Sequence, residues 1–555
     1  MKKIRFAPLN ITLEVPAGTT ILEAAREAGL SIESPCNGAG VCGKCKLPAG
    51  QIAPIGALLI KKSKAAPAEQ DYILACQACL QDDLIVSLAQ VERDGSLKIL
   101  STGKSFVYDF DPAVKKCYHP ESDTTTVFLD GKRVAEEQGS TQNNNQGIVI
   151  DIGTTTLVAS LIDLNTGEEI ASESALNPQA VHAQDVLSRI HLAAEEGGLR
   201  LLYREIIKEI NRLIEIITAR SAVDAQKIYE IVFSGNTCMI HLATNADPAS
   251  LGKYPYRAKI SGGSYDSAAG HKIKIAPAGV VYLPPIISSY IGPDITSGVL
   301  AAQLHVLAGT TLFVDIGTNG EMVISRDGRL VAASTAAGPA FEGMNIEFGM
   351  RAANGAVEVF DIAENGEIKI RTIGDCKTVG VCGSGLLDIV GELVAHKVIL
   401  KSGKFADPEN NSLNENLAGR LKKNGKKPVF YISDDVYITQ KDIRQVQLAK
   451  GAIRTGIEFL MNSLQITAAD VDRVQIAGSF GYHLRAKSLI NIGLLPPEFA
   501  DKIEFVGNTS KTGGQAFLLN RSHKTEMKRL TERVEVIELT DYENFDKVFV
   551  RFLNF

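Results

Sequence analysis

Residues 148–164 read IVIDIGTTTLVASLIDL, and residues 311–325 read TLFVDIGTNGEMVIS. Each is an apolar strand, then Asp-Ile-Gly-Thr, a tight turn and a second strand. Alone, either copy is as readily an ordinary strand-ending turn, because short glycine motifs recur by chance. Repetition of the whole strand–turn–strand unit says more than either copy. In the second copy Asn319-Gly320 predicts a type I′ hairpin turn, since both residues accept positive φ. A third glycine-rich turn, Ala477-Gly478-Ser479-Phe480-Gly481, follows a strand within VDRVQIAGSFGYHL at 471–484.

A nucleoside triphosphate needs backbone N–H donors, hydroxyls beside them, and carboxylates to hold hydrated magnesium. The two turns can supply all three from opposite sides. Asp151 and Asp315 are the candidate catalytic pair, holding water in the shell of Mg2+. Gly153 and Gly317 would let the chain approach, and Thr154, Thr155, Thr318, Asn319 and Gly320 would line the phosphates. Gly478, Ser479 and Gly481 complete the candidate nucleotide contacts. The order of the three turns resembles the phosphate-1, phosphate-2 and adenosine motifs of the acetate kinase, sugar kinase, heat-shock chaperone and actin superfamily. That resemblance implies two α/β lobes with mixed sheets closing on ATP, lobe I at 147–308 and lobe II at 309–555. From Thr439 to about Met461, Ile443, Val446, Ala449, Ile453, Ile457 and Leu460 recur at steps of three or four, which predicts one long helix with a buried face.

Four cysteines near the N-terminus, Cys36, Cys42, Cys45 and Cys76, are spaced C-x5-C-x2-C-x30-C, three of them in SPCNGAGVCGKCKLPAG at 34–50. Three thiolates on a glycine-rich loop and a fourth from a distant segment can enclose a two-iron, two-sulfide cluster. The rival is a zinc site pairing Cys42 and Cys45 with Cys76-x2-Cys79; the glycine-rich loop and Cys36 favour the iron–sulfur reading. GAGVCGKC also nearly spells a phosphate-binding loop, but Cys45 stands where Ser or Thr must touch magnesium. Spacing and flanking residues resemble ferredoxins of the plant and vertebrate type. Two alternating strands around Pro8–Asn10, a helix capped by Thr20 and Glu23, the cysteine loop and a closing LIVSLA strand give the order of a β-grasp 2Fe–2S domain over 1–95. Residues 96–146 end in the polar EEQGSTQNNNQG and read as a linker. Cys117, Cys238, Cys376 and Cys382 read as buried thiols.

The chain has 555 residues, so several domains are expected, in an α/β and α+β multidomain arrangement. A net charge of −6 gives no basic field for nucleic acid. MKKIRFAPLNITLEV lacks a signal peptide's apolar core, and no apolar run is long enough to span a bilayer. No membrane partner is expected, and unpaired thiols point to the cytoplasm.

An electron carrier fused to an ATPase makes sense where the acceptor's potential lies below the donor's, and plant-type clusters sit near roughly −400 mV. Here the chain resembles the reductive activators of corrinoid proteins. The resemblance rests on NPQAVHAQDVLSRI (177–190), FSGNTCMIHL (233–242), LPPIISSYIGPDITSGVL (283–300), AGPAFEG (337–343), GVCGSGLLDIV (380–390) and QKDIRQVQLAKGAIRTGI (440–457). It implies one-electron transfer from the cluster to a Co(II) corrinoid methyl-carrier protein, driven by ATP, with a low-potential donor such as a ferredoxin and a homodimer as one assembly. Ser334–Glu342 is expected to be the docking stretch or, equally, a buried structural loop. The alternatives are a redox-regulated small-molecule kinase, with Asp294 or Asp185 as its catalytic aspartate, and an activator of a radical or ring-reducing enzyme.

Overall fold

The computed structural model describes residues 1–7, 11–28, 30, 32, 45–60, 72–87, 110–408, 413–425, 427–478 and 484–555. They form two compact units, 1–96 with 179–184, and 97–178 with 185–555.

In the first unit, β1 (Lys2–Ala7) pairs antiparallel with β2 (Ile11–Val15) and parallel with β4 (Leu84–Ser87), and β3 (Ile52–Ala53) closes the sheet in the order β2-β1-β4-β3. Alternation buries Ile4 and Phe6 beside Val86. Helix α1 (Ile21–Glu27) lays Ile21, Leu22, Ala24 and Ala25 into the same core. Its start is the predicted capping box: Glu23 N donates to Thr20 Oγ1 at 3.1 Å, and Thr20 N to Glu23 Oε2 at 2.8 Å. This is the β-grasp order.

The second unit begins where a linker was expected. Strands β5 (Val114–His119), β6 (Thr124–Leu129) and β7 (Lys132–Gln138) make a three-stranded antiparallel meander. Its apolar content is low because Thr124, Thr125, Thr126 and the ion-paired Lys116 and Glu137 take buried positions on its two faces. Lys116 Nζ lies 3.0 Å from Glu137 Oε1, and burial is tolerated because the charges are paired.

A six-stranded sheet then runs β10-β9-β8-β11-β13-β12, from β8 (Gln146–Ile152), β9 (Thr156–Asp163), β10 (Glu169–Leu176), β11 (Glu230–Gly235), β12 (Ser264–Ser267) and β13 (Val280–Leu283). A second runs β18-β17-β14-β15-β16-β19, from β14 (Thr310–Ile316), β15 (Gly320–Arg326), β16 (Arg329–Thr335), β17 (Arg473–Ala477), β18 (Ile503–Gly507) and β19 (Glu535–Val536). Strand β8 is antiparallel to β9 and parallel to β11; β14 is antiparallel to β15 and parallel to β17. The sequence repeat is thus a structural repeat.

Both repeated strands are apolar at 148–150 and 312–314, just before their aspartates, because both faces are covered. Ile148, Ile150 and Ile152 pack outward with helix α2 (Gly198–Arg220), while Val149 faces inward. Leu312, Val314 and Ile316 pack with the long helix α5 (Gln440–Ser463), while Phe313 faces inward. Between the sheets lie α3 (Pro293–Ala301) and α6 (Thr509–Leu519), whose Ile295, Val299, Phe517 and Leu518 share one core with Val149 and Phe313. Each such buried side chain contributes about 1.5–3 kcal/mol relative to exposure. By the same alternation Asp151 and Asp315 fall on the inward faces. Helix α5 starts at the expected Thr439, which caps it with Asp442, and all six residues of the predicted stripe are fully buried.

Candidate functional site

In the first unit, an antiparallel pair joins Lys46–Pro48 to Tyr72–Leu74 with Lys46 opposite Leu74. Ala75 N donates to Cys45 O at 2.8 Å, so the two segments end side by side. Cys45 Sγ and Cys76 Sγ come to 3.2 Å, both buried. A disulfide would need about 2.05 Å. Two sulfurs on one tetrahedral ion with bonds of about 2.3 Å stand roughly 3.8 Å apart, so this pair is close to what one metal ion needs. Gln77 Nε2 lies 3.7 Å from Cys76 Sγ. Cys36 and Cys42 lie outside the described residues. Cys79 is buried in a strand pair opposite Leu59, and among the described residues no three His, Cys, Asp or Glu side chains gather to hold a metal. The zinc reading, which needs Cys79 beside Cys45 and Cys76, finds no support there.

The second unit holds a cavity of about 510 Å³ into which both repeated turns open. It is lined by Asp151, Gly153, Thr154, Thr155, Asp315, Gly317, Thr318, Asn319 and Gly478 among the expected residues. Ser479 and Gly481 lie outside the described residues. Gly320 does not line it. It pairs with Ile316 inside the hairpin, so the loop is Gly317–Asn319 rather than a two-residue Asn-Gly turn. A Cβ on Gly320 would lie 2.7 Å from Ile453 Cγ1, so the glycine serves packing on α5. The N–H groups of Gly153 and Gly317 bond within their own turns, to Thr156 O at 2.9 Å and Asn319 O at 3.0 Å. Gly478 has φ +124°, and a Cβ there would meet Ile316 O at 2.5 Å beside the Asp315 carboxylate.

Asp151 accepts from Asn508 Nδ2 and from Ser510 Oγ, each at 2.7 Å, and Ser510 Oγ also reaches Ser234 Oγ at 2.8 Å. Asn508 caps α6 and Asp294 opens α3, so two helix starts meet the repeated turns. Across the second hairpin Glu321 stands opposite Asp315. Burial raises the Asp315 carboxyl to about 7, helped by the Asp151 charge. Burial likewise raises Asp294, with Asp315 and Asp151 adding to it, and raises Glu321, with Asp294 and Asp315 adding to it. Asp151 is raised by burial and partly restored by its two donors. Carboxyls this crowded and dry favour protons or a cation. Thr509 Oγ1 is buried beside them with no hydrogen-bond partner.

Asn236, at the end of β11, donates to Thr154 Oγ1 at 3.0 Å. Glu342 accepts from Thr155 Oγ1 at 2.5 Å and from Thr318 Oγ1. The expected docking stretch Ser334–Glu342 therefore ends inside this cavity, and Ala337, Ala340 and Phe341 within it are buried. Met350, Ala352, Ile373 and Cys382, the last capping α4 (Gly383–Ala395), also line the cavity and share one apolar cluster. Cys238 and Cys382 are buried as expected, whereas Cys117 and Cys376 are exposed. Asp185, the other candidate catalytic aspartate, caps the helix Val186–Ala194 through Ser188 N at 2.8 Å and does not line the cavity. Asn508, Ser510 and Glu321 escaped sequence reasoning, and Glu342 was reached only as the end of the expected docking stretch; the trace of the first two was the Gly-Asn-Thr-Ser at 507–510, a further glycine turn between strand and helix.

Comparison with known proteins matches three family models: the 2Fe-2S iron-sulfur cluster binding domain over residues 4–81, the RACo middle region over 146–307, and the C-terminal domain of RACo, the ASKHA domain, over 309–555. A solved structure described as a reductive activator for corrinoid, iron-sulfur protein is 30% identical, covers 99% of this chain and 98% of its own, and superposes with a TM-score of 0.72. The corrinoid activation enzyme RamQ of Eubacterium limosum is 28% identical, over 96% of both chains. The Co(II) methylated amine-specific corrinoid protein reductase of Methanosarcina barkeri is 23% identical over 70% of this chain and 72% of its own.

Proposed function

The chain belongs to the family of reductive activators of corrinoid proteins, and from that premise we propose that it uses ATP to drive one electron from an N-terminal 2Fe–2S cluster onto a Co(II) corrinoid protein, regenerating Co(I) for methyl transfer. The observation that carries the reading is the coexistence, in one chain, of two buried cysteine sulfurs 3.2 Å apart and a cavity shared by both Asp-Ile-Gly-Thr turns.

Cys45 and Cys76, with Cys36 and Cys42, would hold the cluster, which when bound supplies a one-electron store at low potential. In the other unit, Asp151 is oriented by Asn508 and Ser510 and faces the same cavity as Asp315. The pair would hold the hydrated Mg2+ that a triphosphate brings, and the raised Asp315 carboxyl would release its proton to solvent as the cation binds. Thr154, Thr155 and Thr318 offer hydroxyls to phosphate oxygens, and the Met350–Ile373–Cys382 cluster accepts the base. ATP drives an uphill transfer only by binding two conformations of the chain unequally, so closure of the turns on the triphosphate is the step that biases the electron's path. A low-potential donor such as a ferredoxin refills the store. The setting is the cytoplasm, and no helix among the described residues is long and apolar enough to cross a membrane.

Purified Co(II) corrinoid protein, a low-potential reductant and this chain are combined with and without ATP and Mg2+, and Co(I) absorbance is followed. Co(I) is expected only with the nucleotide; equal Co(I) without it would overturn the reading. Asp294 lies in the cavity, as a kinase would require. That alternative is tested in the same mixture, where the activator reading expects free phosphate and no phosphorylated small molecule.

A further inference from the structure

Glu342 ends a short helical turn, Pro339–Glu342, whose Ala340 and Phe341 are buried. Just before it, Gly338 N donates to Thr318 O at 2.9 Å, so the backbone carrying Glu342 is tied to the second repeated turn. Its carboxylate then spans both turns. Oε2 accepts from Thr155 Oγ1 at 2.5 Å, and Oε1 accepts from Thr318 Oγ1. One hydroxyl belongs to the first half of the structural repeat and the other to the second.

A hydroxyl has one proton to donate. Thr155 and Thr318 can each give it to Glu342 or to a phosphate oxygen, not to both. A terminal phosphate gripped from both halves must therefore take both donors away from this carboxylate. Charge works in the same direction, because a phosphate and a carboxylate cannot share a dry pocket without cost. Asp151, Asp294, Asp315 and Glu321 line the same cavity, so another uncompensated anion there is costly.

We propose that Glu342 is an internal surrogate for the terminal phosphate of a nucleoside triphosphate, and so a specificity-determining residue. A triphosphate displaces it from both hydroxyls, whereas a diphosphate leaves it in place. The inference rests on reading the cavity as the nucleotide site. Triphosphate binding then exchanges one anionic strap between the two turns for another, and loss of the terminal phosphate restores the protein's own strap.

Dissociation constants of ADP and of a non-hydrolysable β,γ-imido triphosphate, both with Mg2+, are measured on the full chain and on two variants. Glu342→Gln removes the charge; Glu342→Asp keeps it on a side chain one methylene too short to span both hydroxyls. Losing two charge-assisted hydrogen bonds that oppose the ligand should tighten the triphosphate about tenfold in Glu342→Gln, with ADP changed less than about twofold. Glu342→Asp should tighten the triphosphate by a smaller factor, again sparing ADP, and unchanged ADP binding reports intact folding. Equal tightening of both nucleotides, or weaker triphosphate binding in either variant, overturns the proposal. If the wild-type chain binds neither nucleotide, the reading of the cavity itself fails. If it binds both and the variants leave their ratio unmoved, only the role of Glu342 fails.

Discussion

Asp315 stands at a point where three constraints meet. It lies on the inward face of β14, Gly478 presses against its carboxylate side, and Glu321 stands opposite across the hairpin. Asp315→Asn keeps the shape and removes the charge that would hold a hydrated cation. ATP hydrolysis with Mg2+ should fall by about 10²–10³-fold, as for loss of one electrostatic group aimed at developing charge. The visible absorbance of the cluster should survive, since the thiols belong to the other compact unit; loss of both signals together would contradict the assignment. Cys76→Ser makes the complementary test. Its sulfur faces Cys45 Sγ at 3.2 Å, so the variant should lose the iron–sulfur absorbance while nucleotide binding stays within about twofold of wild type. Sequence reached these residues because the Asp-Ile-Gly-Thr unit is repeated and the cysteines are closely spaced. Asn508 and Ser510 were invisible because nothing local marks them; they open α6, far along the chain, and reach the first turn only where α6 packs against α3 between the two sheets. Glu342 was legible only as the end of the expected docking stretch, not as a partner of both turns.

At the scale of elements, that crossing depends on Gly513. A Cβ there would sit 2.0 Å from Ser297 O, on the backbone of α3. Gly513→Ala should separate the helices and destabilise the unit by about 3 kcal/mol, read as a lower urea midpoint, because a backbone atom has no rotamer in which to retreat. Helix α5 carries a second test. Lys450 is buried, its Nζ donates to Asn554 O, and burial together with the nearby Arg454 charge lowers its ammonium to about 7. The unfolded chain holds that proton up to about pH 10.4. Between these values the unfolded state binds more protons, so the folded state gains stability as pH rises from about 7 and loses it as pH falls back through 7. The Tm difference between wild type and Lys450→Met should therefore shift toward wild type from pH 7 to 9; parallel curves would exclude this linkage. The long helix itself was legible, because its capping residue and apolar stripe are both written locally. The meander β5–β7 was not: with Thr124–Thr126 and a Lys116–Glu137 pair in place of apolar residues, its composition matches that of a linker.

For the whole molecule, the architecture makes a claim about simultaneity. Each compact unit carries one half of the chemistry, thiols in one and the shared cavity in the other. ATP can lift an electron only if nucleotide and electron store act on the same bound acceptor at once, since binding energy released in one complex does no work in another. Cys76→Ser and Asp315→Asn should each abolish Co(I) formation. An equimolar mixture of the two should be no more active than either alone, because no single chain then holds both working halves. A homodimer changes this arithmetic. If chains exchange partners and the cluster of one serves the nucleotide cavity of the other, random pairing makes half the dimers mixed, and Co(I) formation returns well above either variant. Measuring the mixture at several total concentrations separates the cases: restoration that grows with concentration and then saturates marks two copies acting together, and a flat baseline marks one chain working alone, which is the outcome expected from the placement of both halves on a single polypeptide.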